Sequence, residues 1–280
     1  MRSNLNNRDN FTSSFLVVAG SLLDKKIHET LPSYSRHYAW IMASPTRPFF
    51  HHIALRYKNV IASILLEPID KEGKSLLEPM DKTNQIRESE ENNLIPCLFP
   101  FRVDTGRPLH NGWHIINTKT GEAVELDKLA TDENVAMSKW ELTNAAIDIV
   151  LDKLKKDGMT IHSFCDIPGI KPQIWFSYKD KGMMSMTVRA AMKYDKSKVE
   201  VPLSFFQGKG GNYPSYFINI EFNSLEDEDR PYLYRGHPFN YEMSDVLTLP
   251  KAVNNKVYAE LSLDSTFIIR DDMPNDKDYS

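Results

Sequence analysis

The chain is poor in the residues that most often announce a chemistry. Of 280 residues only two are cysteines, Cys97 and Cys165, far apart and without a CxxC companion. Neither a disulfide framework nor a four-ligand zinc pattern can be written from them, and two reduced thiols are the expectation for a cytoplasmic protein. Glycine is scarce, 12 against 16 prolines, and no Gly-rich fingerprint of a dinucleotide or Walker-type loop occurs. The nearest approach, Gly208-Lys209-Gly210-Gly211-Asn212, lacks the Walker spacing and a Ser or Thr after the lysine, so it reads as a loop. No apolar run reaches the roughly 18–20 residues that span a bilayer, and no membrane role is expected. Phe15–Leu23 is followed by Asp24, Lys25 and Lys26 without a small-residue cleavage site, and reads as a buried helix rather than a leader.

Neither charge sign dominates: 34 basic and 38 acidic residues give a net charge of −4. The distribution is uneven. Residues 1–60 hold eight Lys/Arg and three Asp/Glu, while 221–280 hold six and thirteen. Tight nucleic-acid binding rests on clustered Lys and Arg against phosphates, so an acidic end leaves nucleic acid a weakly supported partner.

What is present is ordinary globular composition, 41% hydrophobic and 26% charged. Thr12 or Ser13 can cap a helix running to about Leu31, before Pro32. Residues 33–50 are aromatic and proline-rich and read as an ordered loop. Ile53–Tyr57 and Val60–Leu66 read as a β-hairpin turning at Lys58-Asn59. Asp70–Asn93 is the most polar stretch, either a long excursion from the sheet or a mobile linker, the second being the reading favoured. Pro96 and Pro100 mark Leu94–Val103 as an edge strand, and Asn117–Gly121 turns a second hairpin between 112–116 and 123–126. Ser138-Lys139-Trp140-Glu141 is a capping box. With Trp140, Ile147, Val150, Leu151 and Leu154 at helical spacing, it predicts a helix over 139–157. Strands are expected at 172–178, 183–191 and 215–222, and the acidic run 224–230 is expected to be a solvated loop. The fold class is α+β, a mixed and largely antiparallel sheet with two main helices. No internal repeat is visible. The domain reading is an N-terminal α+β region at 1–135 carrying the excursion at 70–93, a second region at 136–270, and a flexible tail at 271–280.

The helix, loop, strand, turn, strand order over 138–191 resembles the core of the PD-(D/E)XK restriction-endonuclease-like superfamily. That likeness implies three acidic positions around Mg²⁺: one on the helix, one at a strand start, and one in an acid-x-Lys triplet on the next strand. Glu141 stands at the helix position, but Gln173 and Thr187 stand at the other two, with Arg189 in place of the lysine. The resemblance therefore implies a degenerate scaffold with no catalytic residues, no metal and no cofactor. Ile174-Trp175-Phe176, Val188-Arg189-Ala190 and Tyr234-Arg235-Gly236-His237 also resemble a group of bacterial proteins.

The expected function is a non-catalytic accessory factor whose partner is another protein, in a toxin-neutralising or defence setting. Arg235 and His237 are its candidate binding residues, because Arg presents a fixed donor fork and His titrates near neutrality. Arg189 is a third. The competing role for Arg235 is to pair with the acidic run 226–229 while Gly236 turns the chain. Two catalytic alternatives remain: a metal-dependent phosphodiesterase using Glu141 and Asp166, and a Cys/His hydrolase using Cys165 with His162 as its base. His51-His52 opens a strand, so the two side chains point to opposite faces and do not share a metal.

Overall fold

The computed structural model describes residues 20–21, 23–25, 27, 29, 38–42, 52–109, 114–165, 171–179, 181–193, 200–201, 213–227, 229–248 and 257–258. The chain divides into two compact units, Met1–Val135 and Ala136–Ser280. Both are α+β.

In unit 1, helical residues 20, 21, 23–25, 27 and 29 form α1, inside the expected helix, whose first residues lie outside the described ones. A five-stranded sheet follows in the order β1 (Tyr38–Met42), β2 (His52–Tyr57), β3 (Val60–Ile69), β4 (Ile95–Arg102) and β5 (Ile116–Asn117). Strands β1, β2 and β3 pair antiparallel, β4 runs parallel to β3, and β5 is again antiparallel. One face buries Ile53, Leu55, Ala62, Ile64, Leu66, Cys97 and Phe99 in a cluster that includes Leu23 and Ile27 of α1. The expected β2–β3 hairpin is present, with Lys58 in the left-handed region of its turn (φ 51°).

Three expectations for unit 1 are corrected. Residues 38–42 of the expected loop form β1, because Trp40 and its neighbours can pair with β2. The polar stretch 70–93 is no mobile linker: Pro79–Glu91 is helix α2. Its start carries signals that a search for apolar periodicity passes over, namely Pro79 at the first helical position and Asp81, whose Oδ2 accepts from Glu78 N at 3.1 Å. Its buried residues are Gln85 and Ser89, both polar. Gln85 Nε2 donates to Ser63 O (2.6 Å) and Cys97 O (2.7 Å), and its Oε1 accepts from Thr118 Oγ1 (2.9 Å). One amide therefore bolts the crossover helix onto both parallel strands.

The third correction concerns β4, which is not the edge. It lies between β3 and the two-residue β5. In an extended strand a residue's N–H and C=O point to the same side. The carbonyls of Pro96 and Pro100 accept from Thr118 N (2.9 Å) and Leu109 N (3.0 Å), so both missing N–H groups face away from β3. The parallel ladder loses nothing. Glu125 precedes a single helical turn, α3 (Leu126–Leu129).

Unit 2 opens with α4 (Lys139–Lys156), where Ser138 Oγ accepts from Glu141 N and Glu141 Oε2 accepts from Ser138 N, completing the predicted capping box. Its sheet runs β6 (Thr160–Phe164), β7 (Ile174–Tyr178), β8 (Lys181–Met192), β10 (Ser215–Ser224) and β11 (Phe239–Met243), and β12 (Leu247–Thr248) also pairs with β10. Strands β9 (Glu200–Val201) and β13 (Val257–Tyr258) form a separate antiparallel pair. The core is as the helical spacing implied: Ile147, Val150, Leu151 and Leu154 of α4 pack with Ile174, Phe176, Met186, Val188, Ile218 and Ile220. β8 and β10 are parallel, so the sheet is mixed rather than a run of hairpins. The expected tail at 271–280 lies outside the described residues.

Replacing Gln85 with Ala should lower stability by about 1–3 kcal/mol, since two strand carbonyls and the Thr118 hydroxyl lose a buried partner. Hydrogen exchange should quicken in α2 before it quickens in β3. An unchanged urea midpoint would show that the amide clamp is dispensable.

Candidate functional site

The residues that the nuclease likeness singles out lie on the first turn of α4 and on the β7–β8 pair, and two of the three are already engaged. Glu141 is the third residue of α4, held there by its own capping box. Gly236, at φ 79°, turns the segment before β11 and brings Arg235 back onto the helix start. Arg235 Nε donates to Glu141 Oε1 (3.0 Å), and Nη2 donates to Oε2 (2.9 Å). The two side chains are 2% and 3% exposed. Arg235 thus pairs with an acid 94 residues earlier in the chain. A fork-to-carboxylate pair this buried is held by geometry that Lys could not reproduce.

Gln173 is the second. Its Nε2 donates to Val188 O (2.9 Å), and its Oε1 accepts from Val188 N (3.0 Å). The reason lies in the sequence. Ile174 pairs with Met186, so continuing that antiparallel register sets Pro172 opposite Val188, and proline has no N–H to give. The Gln173 carboxamide acts in its place as a borrowed peptide group. An aspartate at 173 has acceptors only and would leave the Val188 carbonyl without its donor.

Thr187, the third position, is 1% exposed, and its Oγ1 has no hydrogen-bond partner. It lies on the sheet face turned away from α4. That face is unexpectedly polar: Arg189 Nη1 donates to Asn219 Oδ1 (3.0 Å), Asn219 Nδ2 donates to Glu221 Oε1 (2.8 Å), and Ser185 Oγ lies 3.0 Å from Ser215 Oγ. Ser244 stitches β11 to β12 along β10: its N donates to Asn219 O, and its Oγ accepts from Asn219 N. Alternation in 215–222 points Asn219 away from the core, but nothing in the pattern reveals that this second face is buried.

Residues 140–248 match the model of a domain of unknown function, DUF8840. No curated protein and no solved structure matches the chain. The DUF8840 match covers α4, the sheet from β6 to β12, Gln173, Arg189, Arg235 and His237, and stops short of unit 1.

His237 leaves the buried pair to Arg235 and Glu141. Its Nδ1 lies 2.9 Å from Glu226 Oε2, and its ring is tilted against that of Tyr234 with centroids 5.4 Å apart. Tyr232 meets Tyr234 edge-on at 5.3 Å, and the Arg230 guanidinium lies over the Tyr234 ring at 4.8 Å. His237, followed by Arg230, holds the Glu226 carboxyl below its ordinary range. The expected solvated acidic loop is thus a partly neutralised surface with aromatic side chains, where Leu225, Tyr232 and Tyr241 are 53%, 42% and 49% exposed.

The catalytic alternatives fare as follows. Glu141 is engaged with Arg235, and Asp166 lies outside the described residues, as does His51. His162 is exposed, with Nε2 2.8 Å from Ser177 Oγ rather than at a thiol, while Cys165 is buried. Burial pushes the other thiol, Cys97, up to about 12, where thiolate is negligible. Among the described residues no three His, Cys, Asp or Glu side chains are grouped to hold a metal, and no helix is long and apolar enough to cross a membrane.

Two outcomes follow. Glu141→Ala should cost about 3–5 kcal/mol, because it strands a buried guanidinium, and Arg235→Ala should be similarly damaging. The double variant should cost clearly less than the two singles added; strict additivity in urea unfolding would mean the pair is not coupled. Thr187→Val removes an unpartnered hydroxyl at nearly constant shape, and should raise the melting temperature by a few degrees rather than lower it.

Proposed function

We propose that unit 2 is a non-catalytic protein-binding module, a cytoplasmic accessory factor built on a degenerate nuclease-like scaffold. The observation that carries this reading is the pairing of Glu141 with Arg235. A hard divalent cation needs clustered anionic oxygens, and the helix acid spends both of its own on a guanidinium and a helix cap. The carboxamide of Gln173 is likewise spent on Val188, so the positions that would serve a metal serve the fold instead. Support for binding comes from the surface at 225–241, where exposed tyrosines, Leu225 and the Arg230–Tyr234–His237 group offer residue types of which Tyr and Arg are enriched at protein interfaces. His237 belongs to this surface, whereas Arg235 positions the segment that presents it.

The test uses supercoiled plasmid with Mg²⁺ or Mn²⁺. No nicking should appear above a buffer control, and neither ion should shift the melting temperature. Metal-stimulated nicking that disappears in Glu141→Gln, with the variant still folded, would overturn the reading in favour of the phosphodiesterase alternative.

A further inference from the structure

The two units have the same topology in the same register. Each begins with a helix, continues through three antiparallel strands, crosses over to a strand parallel to the third, and closes with an antiparallel strand on the far side. Topology alone recurs by chance, so the register decides.

In unit 1 the rung Ile53–Ile64–Cys97 runs across β2, β3 and β4, and in unit 2 Ile174–Met186–Tyr216 runs across β7, β8 and β10. All six residues are buried, in the same core clusters as residues of α1 and of α4 respectively. From this one rung the pairings of the outer strands follow. Leu98 pairs with Ile116 in β5, and its counterpart Phe217 pairs with Leu247 in β12. The last strand of the shared pattern is therefore β12, and β11 is an extension private to unit 2.

Two irregularities coincide as well. β1 carries one extra residue between Trp40, opposite Leu55, and Met42, opposite Ala54; β6 carries one between Ile161, opposite Phe176, and Ser163, opposite Trp175. Trp40 and Ile161, Ile53 and Ile174, and Lys58 and Lys179 are each separated by 121 positions. Lys58 and Lys179 both hold left-handed backbone, at φ 51° and 50°, a conformation few non-glycine residues adopt. Each lysine follows a tyrosine, Tyr57 and Tyr178. β8 then takes one extra residue, seen as a register shift between Phe176 and Tyr178, and the separation becomes 122 at Ile64 and Met186. Bulges are inherited features of a fold rather than accidents. Two unrelated sheets have no reason to share a bulge, a strained lysine and four strand pairings.

We infer that the chain is an internal duplication, and that unit 1 is a second, diverged copy of the domain matched at 140–248. The copies have diverged in what the shared positions carry. Thr187 corresponds to Leu65, Arg189 to Glu67, and Glu221 to Arg102, so two charged positions are inverted in sign. Glu67 is buried and ion-paired with Lys82 of α2, where Arg189 instead meets Asn219. Where unit 2 is a binding module, unit 1 is then a second module of the same build with a charge-inverted sheet face; this consequence rests on the proposed function, while the duplication does not.

A profile built from relatives of unit 1, aligned with one built from relatives of 140–248, should set Lys58 on Lys179, Ile64 on Met186 and Cys97 on Tyr216, with a one-residue gap just after the turn. In parallel, interstrand NOEs on the isotope-labelled full chain should give the Ile53–Ile64 and Ile174–Met186 contacts and place the extra residues at Ile41 and His162. A profile alignment in any other register, or a bulge found in only one unit, would overturn the duplication. Plasmid nicking moves neither readout: a metal-dependent nuclease with matched registers would sink the binding reading and leave the duplication standing.

Discussion

A parallel strand pair is the constraint on which each unit is organised. Parallel neighbours cannot be joined by a tight turn, so the chain must leave the sheet and return over one face. The sheet is then covered on both sides, and its central strands lose the alternation of a half-exposed strand. β3 is buried at nine of its ten positions, and β10 exposes no residue beyond an intermediate degree. Polar side chains on such a strand must find partners inside the protein. The Gln85 clamp, the Glu67–Lys82 pair and the Arg189–Asn219–Glu221 chain are three answers to that one demand.

The same constraint explains what the amino-acid sequence could and could not disclose. Hairpins β2–β3 and β7–β8 were legible because their turns lie within a few residues of both strands. Helix α4 was legible because Ser138 and Glu141 form a capping box three residues apart. β10 was legible as a strand but not as the parallel partner of β8, since no local signal records a neighbour reached by crossover. α2 hid because the side chains it buries are Gln85 and Ser89, which leave no apolar stripe. Glu141, the acid that Arg235 meets, lies 94 residues away, beyond any motif. Repeat detection failed for a related reason. The copies preserve register, bulge and burial, while the residues filling those places have drifted from Cys97 to Tyr216 and from Leu65 to Thr187.

Gln173 shows how a position that looks catalytic by analogy can be fixed by backbone geometry. Pro172 removes a donor where β8 still needs one, and the next residue supplies donor and acceptor together from a primary amide. Only Gln and Asn carry an amide N–H and C=O side by side, as a peptide group does. The polar residue at 173 therefore follows from the proline before it, and needs no metal to account for it.

The Glu141–Arg235 pair has a different logic. Burying two charges is costly, and apolar replacements of equal volume are often no less stable. Stability alone is thus a poor reason for this arrangement, whereas register is a better one. Glu141 is fixed by its helix cap, so the fork of Arg235 can close on it from one direction only, with Gly236 turning immediately after. That sets where the chain emerges toward β11, and so where Tyr234 and His237 face outward. An apolar contact at the same place would tolerate slippage along the helix, and a slip of one residue would turn the Tyr234–His237 contact away from the surface it now forms.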